Sequence, residues 1–89
     1  MTDLTYVQMF SVYDSNSGYH NIPFFAGSAL EAKHRVRQML LEQNLSSDKL
    51  SGMTLERVGT FDYSTGFVCP TDSTELVAIL SDLVDKEGE

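Results

Sequence analysis

Tyr6-Val7-Gln8-Met9-Phe10-Ser11-Val12-Tyr13 alternates with few polar breaks: Tyr6, Phe10 and Val12 fall in one set, Val7, Met9 and Tyr13 in the other. A run so rich in aromatic and β-branched side chains predicts a strand from Tyr6 to Asp14, covered on both faces. Asp14 to Gly18 is a cluster of turn formers. Ile22 to Ala26 then reads as a short second strand, and Pro23, which has no N–H to give, places it at a sheet edge or starts it. After Gly27 the period lengthens. Ser28-Ala29-Leu30-Glu31 is a capping box, opening a helix from about Ser28 to Asn44. At about 100° per residue, Ala29, Ala32, Val36, Met39 and Leu40 share the face that would lie on the sheet. Leu30, Leu41 and Leu45 make a second apolar line with His34 between them. One sheet cannot cover both lines, so the second must meet a C-terminal helix, another subunit or solvent.

Leu45 to Gly52 is a polar linker, and Met53 to Asp62 is the third strand. Met53, Leu55 and Phe61 are expected on its inner face, with Thr54, Glu56, Thr60 and Asp62 outward. Gly59 inside that pattern signals a bulge or a close backbone approach. Asp62 to Gly66 forms a turn, so Phe67-Val68-Cys69 returns as a hairpin partner and Pro70 ends it. Asp72-Ser73-Thr74-Glu75 reads as a second capping box, opening a helix over about residues 73–85. Leu76, Val77, Ile79, Leu80, Leu83 and Val84 span a wide apolar arc on it. Asp85, Glu87 and Glu89 gather at the negative end of its dipole, so a frayed acidic end is expected. The expected fold is a single α+β domain over residues 1–89, in the order β-β-α-β-β-α, with a mainly antiparallel sheet of about four strands and helices packed on it.

At 89 residues such a domain has either a well-packed core or one completed by a partner. A homodimer is expected, with Leu30, Leu41, Leu45, Leu76, Leu80 and Leu83 as the candidate dimer or partner interface. The net charge of -7 argues against a nonspecific nucleic-acid coat protein, because such binding rests on Lys and Arg. The charge is uneven, however. Residues 71–89 hold six acids and one base, whereas residues 33–57 hold five bases and three acids. An anion site therefore belongs to the middle segment, and its candidates are Lys33, Arg35, Arg37, Lys49 and Arg57. The competing reading of Arg35 is an intrahelical pair with Glu31. Tyr19 and Tyr63, both in expected loops, are candidates for stacking on bases.

One cysteine excludes an intramolecular disulfide and every multi-cysteine zinc pattern, and fits a reducing compartment. The Val-Cys-Pro surroundings of Cys69 suggest a buried thiol at a strand end. No His or Glu spacing forms a metal site around His20 or His34. No nucleophile, base or glycine-rich phosphate loop converges, so no enzyme, cofactor or metal is expected. No apolar run approaches the roughly 20 residues that span a bilayer, and the N-terminus does not resemble a secretory leader.

Four segments together resemble one known family. Leu55 to Gly66, with its Gly59-x-Phe61-Asp62 step and Thr65-Gly66 turn, is similar to the small non-structural protein of gokushovirus-type microviruses, a family labelled as DNA-binding. The Tyr6 to Asp14 strand, the Ile22-Pro23-Phe24 step and Ser28-x-x-Glu31-Ala32-x-x-Arg35 occur in the same order, so the likeness covers roughly Tyr6 to Phe67. The matching positions are Pro23, Glu31, Arg35, Gly59, Phe61, Asp62 and Gly66, of which Arg35 is the natural DNA contact. The resemblance implies an accessory protein of the host cytoplasm that binds single-stranded DNA during viral genome replication or packaging. The acidity of the chain implies an alternative, a non-enzymatic dimeric adaptor for a viral or host replication or packaging protein.

Overall fold

The computed structural model describes residues 6–85. Five strands and two α-helices follow in order: β1 (Tyr6–Asp14), β2 (Tyr19–His20), β3 (Phe24–Ala26), α1 (Ala29–Glu42), a 3-10 turn (Ser47–Leu50), β4 (Met53–Asp62), β5 (Val68–Ile79) and α2 (Leu80–Asp85). This is an α+β domain with one antiparallel sheet, ordered β2-β1-β4-β5, with β3 also paired to β1. The expected first and third long strands are found at their expected bounds, as β1 and β4. The two-residue β2 is an addition to the expected order; it pairs with the end of β1 through Tyr13 and Asp14.

α1 begins as its capping box dictates. Ser28 is the N-cap, its hydroxyl accepting the Glu31 N–H at 3.1 Å. The Glu31 carboxylate reaches one residue further back than in the usual reciprocal box and accepts the Gly27 N–H at 2.8 Å. Ser28→Ala is expected to cost about 1 kcal/mol of stability, the usual worth of such a cap; an unchanged urea midpoint would show that the cap is dispensable. At the other end Asn44 takes φ 59, a left-handed position that Asn tolerates, and the Leu45 N–H bonds back to the Leu40 carbonyl at 3.2 Å.

Among the described residues the buried apolar side chains gather on one side of the sheet: Phe10 and Val12 from β1, Ala26 from β3, Leu55 from β4, Ala32, Val36 and Leu40 from α1, Leu50 from the 3-10 turn and Leu80 from α2. Ala32, Val36 and Leu40 are thus the working part of the expected helical stripe, whereas Ala29 and Met39 are exposed. The expectation that β1 is covered on both faces is corrected. Among the described residues its other set, Val7, Met9 and Tyr13, is only partly covered. Ser11 is the exception on that face, buried with its hydroxyl donating to the Asn21 carbonyl at 2.7 Å.

The C-terminal third differs most from expectation. Pro70 does not end the hairpin, and the helix expected over residues 73–85 is a strand as far as Ile79, with helix only from Leu80. β5 is an edge strand, where a proline lacking its N–H costs nothing to a neighbour beyond it. Asp72 to Glu75 is therefore no cap, and Glu75 instead faces Arg57 across the ladder, its carboxylate 2.9 Å from Nε. Cys69, expected to be buried, is exposed on this edge. The expected frayed acidic end beyond Asp85 lies outside the described residues.

β4 carries the irregularity that shapes everything on the outer face. Its pairing with β1 passes from Phe10↔Arg57 to Met9↔Gly59, so Val58 is an extra residue of β4 toward β1; toward β5 the pairing passes from Arg57↔Glu75 to Gly59↔Pro70, and there the excess is on β5, whose residues 71–74 stand against Val58 alone. An extra residue in a strand reverses the alternation beyond it. Leu55 therefore points into the core, while Phe61, expected beside it, lies opposite Val7 and turns to the outer face.

Candidate nucleic-acid interface

The outer face of the sheet has no helix over it among the described residues, and three aromatic side chains, Phe25, Phe61 and Tyr63, cluster at one end of it. Phe25 lies opposite Met9, so it shares the face of Val7 and Phe61. The Phe25 and Phe61 ring centroids are 5.8 Å apart at 60°, and Tyr63 meets Phe61 edge-on at 6.1 Å. These are ordinary tilted aromatic packings, with Phe25 42 % and Tyr63 63 % exposed. Tyr63 is held by its turn: Asp62 accepts the Ser64 N–H at 2.9 Å and hydroxyl at 2.7 Å, and Gly66 takes φ 78 to close the loop.

The cluster forms one wall of a pocket of about 500 Å³, completed by Val7, Gly27, Glu31 and Arg35. Arg35 is fixed there by two bonds, from Nη1 to the Phe25 carbonyl at 2.7 Å and from Nη2 to Glu31 Oε2 at 3.0 Å. Its guanidinium carbon also lies 6.0 Å from the Phe24 ring centroid, within cation–π range. The Gly27 N–H holds the Glu31 carboxyl below the usual carboxylate range against an opposing cost of desolvation, and the nearby Arg35 guanidinium adds to the lowering. The competing reading of Arg35, an intrahelical pair with Glu31, is thus present in the structure, and the arginine lines the pocket.

The other candidate cations do not join Arg35. Lys33 and Arg37, both half-buried, sit two residues either side of it, which at about 100° per residue puts them on the far flank of α1. Lys49 is exposed in the 3-10 turn, and Arg57 is paired with Glu75. Of the candidate interface leucines, Leu30, Leu41 and Leu76 are exposed, Leu45 and Leu83 pack against the core, and Leu80 is fully buried within it. Tyr19 is 75 % exposed at the β1–β2 turn, away from the aromatic cluster in the ladder. Phe25 is a site residue that the sequence pattern does not single out, and Phe61, a matching position of the resemblance, is expected on the inner face instead. The signal for Phe61 lies in Gly59, next to the Val58 bulge that reverses the face of the strand beyond it.

A second polar group lies at the opposite end of the same face. His20 Nε2 is 2.9 Å from Glu56 Oε1, and the His20 ring packs against Tyr13 at a 43° tilt, the centroids 4.7 Å apart. Partial burial works to raise the Glu56 pKa, but hydrogen bonds from His20, Thr74 and Thr54 outweigh it and hold the carboxyl below its ordinary value. This group ties the β1–β2 hairpin across β1 to β4. Among the described residues no cluster of three or more His, Cys, Asp or Glu side chains is placed to hold a metal ion, and no helix is long and apolar enough to cross a membrane.

Fold and surface define a small two-layer α+β protein whose sheet is covered by helices on one side and carries an aromatic cluster on the other. The chain belongs to the phage ORF5 protein family, whose model matches residues 7–83, nearly the whole described domain. It is thus a member of a bacteriophage protein family. It has no significant match among curated proteins or solved structures.

Proposed function

We propose that this chain is a non-enzymatic phage accessory protein that binds single-stranded DNA in the host cytoplasm during genome replication or packaging, as in the microvirus proteins it resembles. The observation that carries the reading is the Phe25–Phe61–Tyr63 cluster, with Phe25 and Tyr63 exposed and Phe61 half-buried, on a sheet face with no helix over it among the described residues. Aromatic rings on an open sheet are the means by which many single-strand binders hold unstacked bases, each stacked base being worth about 1–3 kcal/mol. Arg35, bonded to Glu31 and to the Phe25 carbonyl, braces the pocket beside the cluster, while Lys33 and Arg37 on the far flank of α1 contribute long-range attraction. With a net charge of -7, stacking carries more of the affinity than phosphate contact does.

The test is a titration of labelled single-stranded DNA at low and moderate salt, with mass followed by light scattering. Binding is expected at low salt, with a shallow salt dependence and a loss of about fivefold or more on Tyr63→Ala, the lower end for one stacked base. No binding of the unaltered protein at low salt overturns the reading. The exposed Leu30, Leu41, Leu76 and Ile79 favour the second reading, an acidic dimeric adaptor for a basic replication or packaging protein. A dimer mass without DNA binding is its expected result.

A further inference from the structure

The pocket beside the aromatic cluster has walls of unlike chemistry. Phe25, Phe61 and Tyr63 offer ring surface on one side, and Glu31 offers a carboxylate on the other. The rings already touch one another, so no slot remains between them, and a flat guest must lie over the cluster with one edge toward α1. A phosphate does not fit that position. It would meet the Glu31 carboxylate, and Arg35, the cation lining the pocket, is committed to that same carboxylate and to the Phe25 carbonyl.

Glu31 has spare accepting capacity in a fixed orientation. Oε1 takes the Gly27 N–H and Oε2 takes Arg35, one bond each. An ionised carboxylate has about four lone-pair sites, so each oxygen keeps one for a guest. Two parallel acceptors match two adjacent donors, and among the DNA bases that pair is the N1–H and N2–H of guanine. Cytosine and adenine present one amino group next to an accepting ring nitrogen, and thymine presents one N–H between two carbonyl oxygens, so each sets an acceptor against the carboxylate. We infer that this pocket seats one unpaired base of a single strand, with guanine preferred, and that Glu31 is the residue that reads it. This inference rests on the single-stranded DNA reading above and adds to it a base preference and a specificity-determining residue.

The experiment compares binding of a labelled thymidine decamer, the same decamer with one central guanine, and the same with hypoxanthine in place of that guanine. The unaltered protein is expected to bind the guanine strand more tightly than the all-thymine strand by at least about fivefold, the lower end for a bidentate base contact. The hypoxanthine strand, lacking the N2 amino group, is expected between them. Glu31→Gln, checked for folding by circular dichroism, is expected to bind all three alike, because its amide can no longer accept two donors. Tyr63→Ala is expected to weaken all three together. Equal affinity of the unaltered protein for the three strands overturns the base preference and leaves the single-strand reading standing. A guanine preference that persists in folded Glu31→Gln overturns the role of Glu31. Absence of binding to any strand at low salt overturns both.

Discussion

Leu80→Ala is expected to lower the free energy of unfolding by about 2–5 kcal/mol, the range for a leucine removed from a packed core. Leu80 is 1 % exposed and belongs to the same cluster as Phe10, Leu40 and Leu55. It is the first residue of α2, so its side chain pins the point where β5 gives way to helix. The loss is expected to be the same at every protein concentration. A residue buried only by a second subunit would instead show a loss that varies with concentration, because association then contributes to stability by mass action. Leu76, four residues earlier and 64 % exposed, provides the contrast. Leu76→Ala is expected to change monomer stability by less than about 0.5 kcal/mol, as surface substitutions do. Chemical unfolding at two protein concentrations makes the comparison. A stable Leu80→Ala protein, or a concentration-dependent loss, would return Leu80 to an interface.

The contrast between these two leucines shows where the sequence is ambiguous. Leu76, Val77, Ile79, Leu80, Leu83 and Val84 look like one helical arc, yet a short apolar run satisfies helix and strand alike. Its first half includes the β-branched Val77 and Ile79 and lies against β4, and it pairs there. Pro70 reads as a terminator only for a strand with neighbours on both sides, and β5 has one. By contrast, β1, β4 and the start of α1 are legible because each has a local cause: an unbroken β-forming run, a clear alternation, and a serine and glutamate at capping distance. The candidate site is only half legible. Glu31, Arg35 and Tyr63 are local features that the sequence displays, and the Glu31–Arg35 pair, the competing reading of Arg35, is present. Phe25 and Phe61 meet only because pairing register puts them on one face, and that register depends on one bulged residue. Strict alternation through Val58 sends Phe61 into the core, and a chain read residue by residue carries no mark at Val58 itself. The mark is at its neighbour, Gly59.

Gly59→Ala is expected to destabilise the protein by about 1–3 kcal/mol or more, as overpacking does where the neighbours cannot yield. A Cβ at Gly59 would sit 2.6 Å from the Cys69 carbonyl oxygen and 3.2 Å from Pro70 Cα. Both are backbone atoms of the paired strand, so no rotamer change relieves the clash, and β5 must move away from β4. Gly18→Ala separates this effect from general intolerance of glycine replacement. Gly18 has φ 80 but no atom within 4 Å of where an alanine methyl would stand, so its replacement costs only left-handed strain, about 1–2 kcal/mol. Urea unfolding with slopes compared between variants gives both numbers. The displacement at Gly59 has a consequence that Gly18 lacks. Phe61 is two residues further along the same strand and opposite Val68 of β5, so shifting the ladder disturbs its contact with Phe25. Gly59→Ala is therefore expected to weaken single-stranded DNA binding under conditions where the variant remains folded, whereas Gly18→Ala leaves it unchanged. If Gly59→Ala costs no more than Gly18→Ala, β4 and β5 do not approach as closely as their pairing requires, and the bulge is not what holds Phe61 on the outer face.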